Sequence, residues 1–343
     1  MSGPNISPSH LRNRAMCATR HRLLSMTLAA VLVPSLVGRA AEPCDSRRAA
    51  DFLPLPADAT TSFGTALSAG ADFIAIGNPK SPPIDVTRGA GSVVVYRRVG
   101  AAWEMDAVIP APADTSGIHR YFEFGQSVAV SGDCLAVTSR ERCWLFHRQP
   151  SEGAIWKLIH EMAFDDVPTI SVAAAPGRVA VSHSTRTVVL EQTADDPETW
   201  TVVLDWPEGA FGLPGRGLAL SGDLLVYARS YRATVLRRSS AGWELDGQFQ
   251  TLTDYRTELA TDGHRVAASY SRSSQQPFSG TVDVYGKSGS GIWQREAHIV
   301  PPHATDDPAS AFGFALALSG DRLAIGSHLD DFAGTDCGAG YCY

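Results

Sequence analysis

The chain has 343 residues, of which 44% are hydrophobic and 19% are charged, so it holds enough apolar material for a core and is not a largely disordered protein. Its formal net charge is −7, and no cluster of lysine and arginine follows the N-terminal region, which excludes nucleic acid as the main partner. This length allows two domains, but closed all-β folds also reach it as a single unit.

Residues 1–40 are predicted to be a secretory signal peptide. Four arginines between Arg12 and Arg22 precede an apolar run at residues 23–38, and small residues around Ala40 suit cleavage. The run is shorter than the roughly 20 residues of a membrane span. We therefore expect a secreted, periplasmic or cell-surface protein without a transmembrane span in the mature chain, although an uncleaved N-terminal anchor is the alternative. Residues 41–51 are interpreted as a linker.

Residues 52–343 are predicted to form one domain, because a single phrase recurs along them. A short strand at residues 52–55, which reads Phe-Leu-Pro-Leu, comes first. The clear copies of the phrase are SFGTALSAGADFIAIGN (62–78), EFGQSVAVSGDCLAVTS (123–139), GRGLALSGDLLVYARS (215–230) and AFGFALALSGDRLAIGS (311–327). Two fainter copies lie at residues 173–184 and 259–271, which makes six units.

Each unit also has a second half, in which an alternating apolar run, a turn with glycine, a tryptophan and another run follow one another. The tryptophans at this point are Trp103, Trp156, Trp200, Trp243 and Trp293. Alternation bounded by turn residues predicts strands, so one unit is four short antiparallel strands. Six units with a period of roughly 50 residues predict an all-β fold, a β-propeller of six four-stranded blades. We expect the Phe of each Phe-Gly pair to fill the gap between neighbouring sheets, and each Trp to cover outer strands.

The two ends of the domain are predicted to share one blade. The last unit stops at Tyr343, inside its third strand, whereas residues 52–55 resemble a fourth strand that lacks its own first three. The N-terminal strand would then close the last blade and remove an exposed sheet edge. A truncated seven-bladed propeller is the alternative.

The cysteines are interpreted in the light of secretion, which permits disulfides. Cys17 would leave with the signal peptide, and five cysteines remain, so at least one thiol stays free or pairs elsewhere. A Cys44–Cys342 bridge would lock the ring, with Cys337 as the alternative partner. Cys134 and Cys143 lie on the second and third strands of one blade, where either an internal bridge or buried free thiols are possible.

At Phe63-Gly64, Phe124-Gly125 and Phe312-Gly313, the chain resembles the FG-GAP repeat, which builds the β-propeller head of integrin α-subunits and many secreted bacterial proteins. The resemblance covers residues 52–343. In metal-binding members, the turn between the first two strands is an Asp-rich calcium loop. The turns here are Ser131-Gly132-Asp133, Ser221-Gly222-Asp223 and Ser319-Gly320-Asp321, and a single carboxylate does not supply six to eight oxygen ligands. We therefore expect no calcium at these turns.

Two loops of the last units carry the candidate ligand-binding residues, which are His303, Asp306 and Asp307 in one loop and His328, Asp330, Asp331 and Asp336 in the other. Both loops are predicted to emerge on one face of the propeller. They could hold a divalent cation or attract a basic partner, or they could be two ordinary solvated loops. No cofactor is predicted apart from this cation, and no catalytic motif is recognised.

The combined features favour a non-enzymatic binding scaffold that recognises an extracellular or surface protein or a glycan through propeller-face loops. A propeller enzyme, a hydrolase or a lyase, is one alternative, with the loop acids or His119, beside Arg120 and Tyr121, as its polar groups. A structural module of a cell-envelope assembly is another.

Overall fold

The structure is a computed structural model, and it describes residues 63–80, 90–112, 123–149, 155–164, 171–183, 186–207, 214–229, 231–251, 257–270, 280–301, 311–329 and 338–343. All regular structure in these segments is antiparallel β. None of them forms a helix that could cross a membrane.

Within the described segments, the strands form six sheets that follow one another along the chain. The first sheet contains β1 (Ala66–Ala69), β2 (Phe73–Asn78), β3 (Ser92–Val99) and β4 (Ala102–Pro110). The second contains β5 (Ser127–Ser131), β6 (Cys134–Thr138), β7 (Arg142–Arg148) and β8 (Trp156–Ala163). The third contains β9 (Ser171–Ala175), β10 (Arg178–Ser182), β11 (Arg186–Gln192) and β12 (Trp200–Pro207).

The fourth sheet contains β13 (Pro214–Ser221), β14 (Leu224–Arg229), β15 (Arg232–Ser239) and β16 (Gly242–Gln250). The fifth contains β17 (Leu259–Thr261), β18 (Arg265–Tyr270), β19 (Thr281–Lys287) and β20 (Trp293–Ile299). The sixth contains β21 (Phe312–Ser319), β22 (Arg322–Ser327) and β23 (Ala339–Cys342).

This arrangement is a six-bladed β-propeller, which confirms the all-β class and the number of blades predicted from the repeats. Each sheet is a simple meander in which consecutive strands pair. The fourth strand expected for the sixth sheet, at residues 52–55, lies outside the described residues, as do the signal peptide and the linker.

The core lies between neighbouring sheets, because the second strands are apolar on both faces. Ala75 and Val95 of the first sheet share one cluster with Leu135 and Phe146 of the second. Every residue of β2 and of β6 is buried. Strands buried on both faces need continuous apolar runs, which explains why the FIAIGN and CLAVT segments are almost free of charge.

The Phe-Gly pair forms the joint between consecutive sheets. Phe124 is fully buried and lies edge-on to Trp144, with ring centroids 5.3 Å apart. Its backbone N–H donates to the carbonyl oxygen of Ala90 in the preceding sheet, at 3.0 Å, and the neighbouring Gly91 forms an isolated bridge with Phe124. These contacts confirm that the Phe fills the gap between sheets.

The preceding sheet requires a glycine at the point where it contacts the Phe. Gly91 has φ +95°, and a Cβ at this position would overlap the carbonyl oxygen of Phe124. Gly280 of the fifth sheet meets Phe312 of the sixth in the same way, with φ +71°. The residues before the two Phe, Glu123 and Ala311, also have positive φ, which L side chains rarely adopt. Strained backbone of this kind persists only where the surrounding packing enforces it.

We expect Gly91→Ala to lower the free energy of unfolding by about 3 kcal/mol or more, because left-handed strain of ~1–2 kcal/mol adds to the displacement of Phe124. Gly132→Ala is the matched control, since Gly132 has φ +55° but open space around its Cα, and it should cost only the strain of ~1–2 kcal/mol. Urea unfolding of both variants measures the difference. Equal losses would contradict the proposed role of the joint.

The predicted tight turns are confirmed at the Ser-Gly-Asp segments. Ser131 pairs with Cys134, so Gly132 and Asp133 are the two central residues of a hairpin turn. Gly132, Gly222 and Gly320 have φ values of +55°, +55° and +58°. A glycine with positive φ at the first central position is the requirement of a type II′ turn.

The recurring tryptophans do more than cover the outer strands, because two of them bind a carboxylate of the preceding sheet. Trp156 Nε1 donates to Asp106 at 3.0 Å, and Arg148 binds the same carboxylate with two contacts of 3.1 Å. Trp293 Nε1 donates to Asp246 at 3.1 Å, and Lys287 binds it at 2.6 Å. We call this arrangement the Trp–Asp clasp.

The clasp is replaced at the junction of the third and fourth sheets. Trp243 Nε1 is buried there without a hydrogen-bond partner among the described residues, and Glu191 instead accepts from Arg238 at 2.9 and 3.2 Å. The hydrogen bonds from Arg238 lower the pKa of Glu191, although its partial burial opposes them. An ionic link outside the apolar core is therefore present at these three junctions, with the clasp at two of them and the Arg238–Glu191 pair at the third.

We expect Asp106→Ala to destabilise the protein by about 3 kcal/mol or more, because it leaves Arg148 and the Trp156 N–H in a buried junction without their acceptor. The matched control is Asp205→Ala, which removes an exposed carboxylate paired with Arg186 and should cost less than about 1 kcal/mol. Thermal and urea unfolding measure both. Comparable small losses would show that the clasp does not hold the sheets together.

The structure does not contain the internal bridge considered for Cys134 and Cys143, and both residues are buried thiols. The register explains the result, since Cys143 lies opposite Thr138, four residues along the strand from Cys134. Four residues span about 13 Å, whereas a disulfide needs Cα atoms within about 7 Å. Burial raises the pKa of Cys134 to about 12, which keeps this thiol unreactive. Cys342 lies exposed on β23, and its candidate partners Cys44 and Cys337 lie outside the described residues.

Candidate functional site

The connections between strands are unequal on the two faces of the propeller. We call the face at which second strands end and third strands begin the loop face. On this face the first, fifth and sixth sheets have long connections, at residues 79–91, 271–280 and 328–338, whereas the second to fourth sheets have short ones, at residues 139–141, 183–185 and 230–231. The opposite face carries the tight Ser-Gly-Asp turns. The loop residues that could bind a partner are therefore concentrated on the loop face.

The predicted ligand residues belong to the connections of this face, but most of them lie outside the described residues. These are His303, Asp306 and Asp307, between the fifth and sixth sheets, and Asp330, Asp331 and Asp336, between β22 and β23. His328 is described, is half-buried and packs its ring against Phe314, with centroids 3.9 Å apart. No group of three or more His, Cys, Asp or Glu that could hold a metal occurs in the part of the chain that the structure describes, and the cation site stays a prediction.

A set of polar residues lies beneath the loop face, one from each sheet. The register places them at the same position, at or directly after the end of the second strand, and they are Asn78, Ser139, His183, Arg229, Tyr270 and Ser327. His183 stacks on Phe164, and its carbonyl oxygen accepts from Arg229 at 2.6 Å. These residues therefore lie at the base of the loop face, where the second strands end. Sequence reasoning missed them, although alignment of the repeats would have shown a polar residue in each copy.

The fifth sheet holds an unusual group of polar side chains close to this face. The Asp283 carboxylate is 1% exposed, and His298 Nδ1 lies 2.5 Å from it. Arg295 Nη1 lies at 3.4 Å and the hydroxyl of Tyr285 at 3.3 Å from the other carboxylate oxygen. Together with Tyr270, we call these residues the Asp283 cluster.

The cluster reaches across the junction between the fourth and fifth sheets. The hydroxyls of Tyr270 and Tyr285 are 2.8 Å apart, and Tyr285 lies 3.1 Å from the carbonyl oxygen of Gln250, to which it can donate. The Tyr285 ring stacks on Phe249, with centroids 3.9 Å apart. Burial raises the pKa of both tyrosines above the usual range, so both hydroxyls stay protonated at neutral pH.

The other sheets do not place a charge where Asp283 stands. The residues at this register position are Val94, Trp144, Val188, Thr234 and Tyr341. Arg295 is also unusual for its position. The equivalent residue of each of the first four sheets is apolar and exposed, and these residues are Met105, Leu158, Val202 and Leu245. A buried carboxylate needs partners to offset its desolvation, and well-packed apolar residues are often more stable than such a pair. Stability alone does not account for this exchange, which marks the cluster as a functional candidate.

The geometry fixes the chemistry that His298 offers. Its side chain is 42% exposed, and the hydrogen bond to Asp283 engages Nδ1. In the neutral ring, a proton on Nδ1 leaves Nε2 as an acceptor for a ligand N–H or O–H group or as a ligand for a metal ion. The strand of His298 ends at Ile299, just before the connection that contains the predicted loop residues. The cluster therefore lies close to the start of that connection.

We expect Arg295→Leu to destabilise the protein by about 1 kcal/mol, because a buried carboxylate loses one of its partners. Adding Asp283→Val, which makes both positions apolar as they are in the first three sheets, should recover that loss or exceed it. Urea unfolding of the single and double variants tests the expectation. A double variant less stable than the single one would show that the fold requires the cluster.

A family comparison agrees with the repeats described above. The model described as "FG-GAP repeat" matches residues 293–343, which run from β20 to the end of β23 and contain Phe312-Gly313. The chain thus carries an FG-GAP repeat in a six-bladed propeller. Among curated proteins, none matches the chain.

Several solved structures are similar in fold. Hsv2p of Kluyveromyces lactis is 13% identical, with 76% of this chain and 69% of that chain covered and a TM-score of 0.45. Sqt1 of Chaetomium thermophilum, bound to the N-terminus of ribosomal protein L10, is 14% identical, with coverages of 79% and 84% and a TM-score of 0.46. The periplasmic gluconolactonase PpgL of Pseudomonas aeruginosa is 13% identical, with coverages of 79% and 83% and a TM-score of 0.49.

Proposed function

We propose that this protein is a secreted or cell-surface binding scaffold without enzymatic activity, which recognises a protein or a glycan through the loop face. The observation that carries the proposal is the Asp283 cluster, which places a charged and partly exposed group on strands that adjoin two long connections of that face, at residues 271–280 and 300–311. The predicted signal peptide and the FG-GAP repeat support an extracellular location.

The rigid joints between sheets support a binding role. The Phe-Gly contacts and the Trp–Asp clasps fix neighbouring sheets against each other, so connections from different sheets keep constant relative positions. A preorganised surface binds with a smaller loss of conformational entropy than a mobile one. The scaffold therefore suits recognition by several loops at once.

The cluster supports a polar ligand. His298 presents an acceptor oriented by Asp283, and Arg295 presents donors from a side chain that is 52% exposed. Hydroxyl groups of a glycan and polar groups of a protein surface both fit such a pair of acceptor and donor. The acids and His303 of the adjoining connection would extend the same polar surface.

The test is to screen the mature chain on arrays of glycans and of cell-surface proteins. We expect at least one reproducible hit, and we expect the double variant Asp283→Val with Arg295→Leu to bind it at least tenfold more weakly, which corresponds to about 1.4 kcal/mol. Asp205→Ala is the control, because Asp205 is exposed on the third sheet and away from the cluster. Full binding by the double variant would contradict the proposed contact site, and an array without hits would contradict the binding function.

The paired Asp283 and His298 also favour one second candidate, a hydrolase or lyase. A carboxylate that orients an imidazole is a common arrangement for a general base. The enzyme candidate predicts turnover of an ester, lactone or polysaccharide that disappears in His298→Ala, while the binding scaffold predicts no turnover in either protein.

A further inference from the structure

The junction between the fourth and fifth sheets continues towards the loop face beyond the Asp283 cluster. The backbone N–H of Thr251 donates to the carbonyl oxygen of Tyr231 at 2.8 Å, which extends the pairing of β15 with β16 by one step. Gln250, the residue before Thr251, supplies the carbonyl oxygen that the Tyr285 hydroxyl approaches. The cluster and the pair of Tyr231 and Thr251 therefore meet at one end of this junction.

The side chains of this pair face the fifth sheet. Ala233 and Phe249 lie opposite each other and belong to the apolar cluster that the fourth and fifth sheets share. Tyr231 and Thr251 are two residues away from them along the two strands, so the alternation of side chains places them on the same face. The Asp283 cluster lies on the other side of the junction, since the ring of its Tyr285 stacks on Phe249.

The pair adds a buried hydroxyl and an exposed aromatic ring to this end of the junction. Thr251 is 4% exposed, and its Oγ1 has no hydrogen-bond partner in the part of the chain that the structure describes. A buried hydroxyl without a partner costs about 1–3 kcal/mol, so stability alone favours valine at this position. Tyr231, in contrast, is 56% exposed.

We propose that this end of the junction binds a neutral saccharide, an inference that rests on the binding function proposed above. Of two neighbouring sugar hydroxyls, one would donate to Nε2 of His298 and the other would accept from the guanidinium of Arg295. The apolar face of the sugar ring would pack on the ring of Tyr231. The Thr251 hydroxyl would gain its missing partner from the ligand. We call these four residues the saccharide site.

One side-chain movement is needed for the last contact. Thr251 is covered, so a ligand reaches its hydroxyl only after a neighbouring side chain changes its rotamer. Its cross-strand neighbour Tyr231 is exposed, and exposed side chains change rotamer readily. The Tyr231 ring is therefore suited both to open the site and to stack on the sugar.

The polarity of the site favours a saccharide over a protein. Protein interfaces are centred on aromatic and aliphatic anchors that become buried. The fifth sheet has Arg295 at the position where each of the first four sheets exposes an apolar residue. The described groups at this end of the junction are thus mainly polar, and their place between two sheets suits a thin ligand.

The charges favour a neutral saccharide over an acidic one. Asp283 already balances the charge of Arg295, with 3.4 Å between the carboxylate and Nη1. The lone pair on Nε2 of a neutral His298 accepts from a hydroxyl group but repels a carboxylate. A ligand whose groups both donate and accept hydrogen bonds therefore fits the site better than an anion.

The test is isothermal titration calorimetry of the intact chain with hexaoses of glucose, mannose, galactose and xylose, and with hexaoses of galacturonic acid and mannuronic acid. We expect at least one neutral hexaose to bind, and to bind more tightly than the acidic ones. Tyr231→Ala should weaken this binding about fivefold to tenfold. Tyr231→Phe keeps the ring and is the matched control, with the affinity of the parent chain.

Thr251→Val separates binding from stability. Loss of the unpartnered hydroxyl should leave the Tm unchanged or raise it, while the affinity for the same hexaose falls about threefold or more. A residue with a purely structural role would not give this combination. Asp205→Ala, on the third sheet, is the control for both measurements.

Four results would overturn the inference. Unchanged affinity in Tyr231→Ala or in Thr251→Val would show that the saccharide binds elsewhere, and tighter binding of an acidic hexaose would exclude the neutral ligand. Binding of surface proteins but of no saccharide would overturn this inference and leave the proposed binding function standing. Binding of neither class would contradict both.

Discussion

The structure depends on one steric constraint, the contact between a buried Phe-Gly pair and a glycine of the preceding sheet. Phe124 enters the gap between the first two sheets only because Gly91 has no side chain and has a positive φ. The same contact joins Phe312 to Gly280 at the last described junction. The residues before each Phe have strained backbones that this packing maintains. A recurrent short motif thus specifies how the sheets meet.

Because these joints fix the arrangement of the sheets, residues at the same register position in different sheets can be compared directly. A residue that differs in chemical character from its equivalents is a candidate for a functional role. At the register position of Asp283, the other sheets place uncharged residues such as Val94, Val188 and Thr234. The fifth sheet departs from the others by placing Asp283 there, with Arg295 and His298 as its partners. The departure lies next to the connections that carry the predicted acidic loop residues. Two independent observations, the loop composition and the buried carboxylate, therefore favour the same part of the loop face.

The repeats made the strand order, the turns and the role of the Phe-Gly pair predictable, because each is encoded within a single unit. The Trp–Asp clasp was not predictable, since Trp156 and Asp106 are 50 residues apart and belong to different units. Asp283 lies in an alternating VDVY segment that is typical of a half-exposed strand, and only the folded structure, in which its side chain is 1% exposed, shows that it is buried. The possible bridge between Cys134 and Cys143 depended on the same register, which separates the two thiols.

Hydrogen exchange measured by mass spectrometry on the intact chain tests the central claim most directly. The account predicts that peptides containing the Phe124 and Gly125 amides, which donate to Ala90 and Thr138, exchange as slowly as those of the buried strand β6. Peptides from the outer strand β20, whose side chains are largely exposed, should exchange sooner. If the peptides around Phe124 lost protection before those of β20, the Phe-Gly contact would not be the element that holds the sheets together.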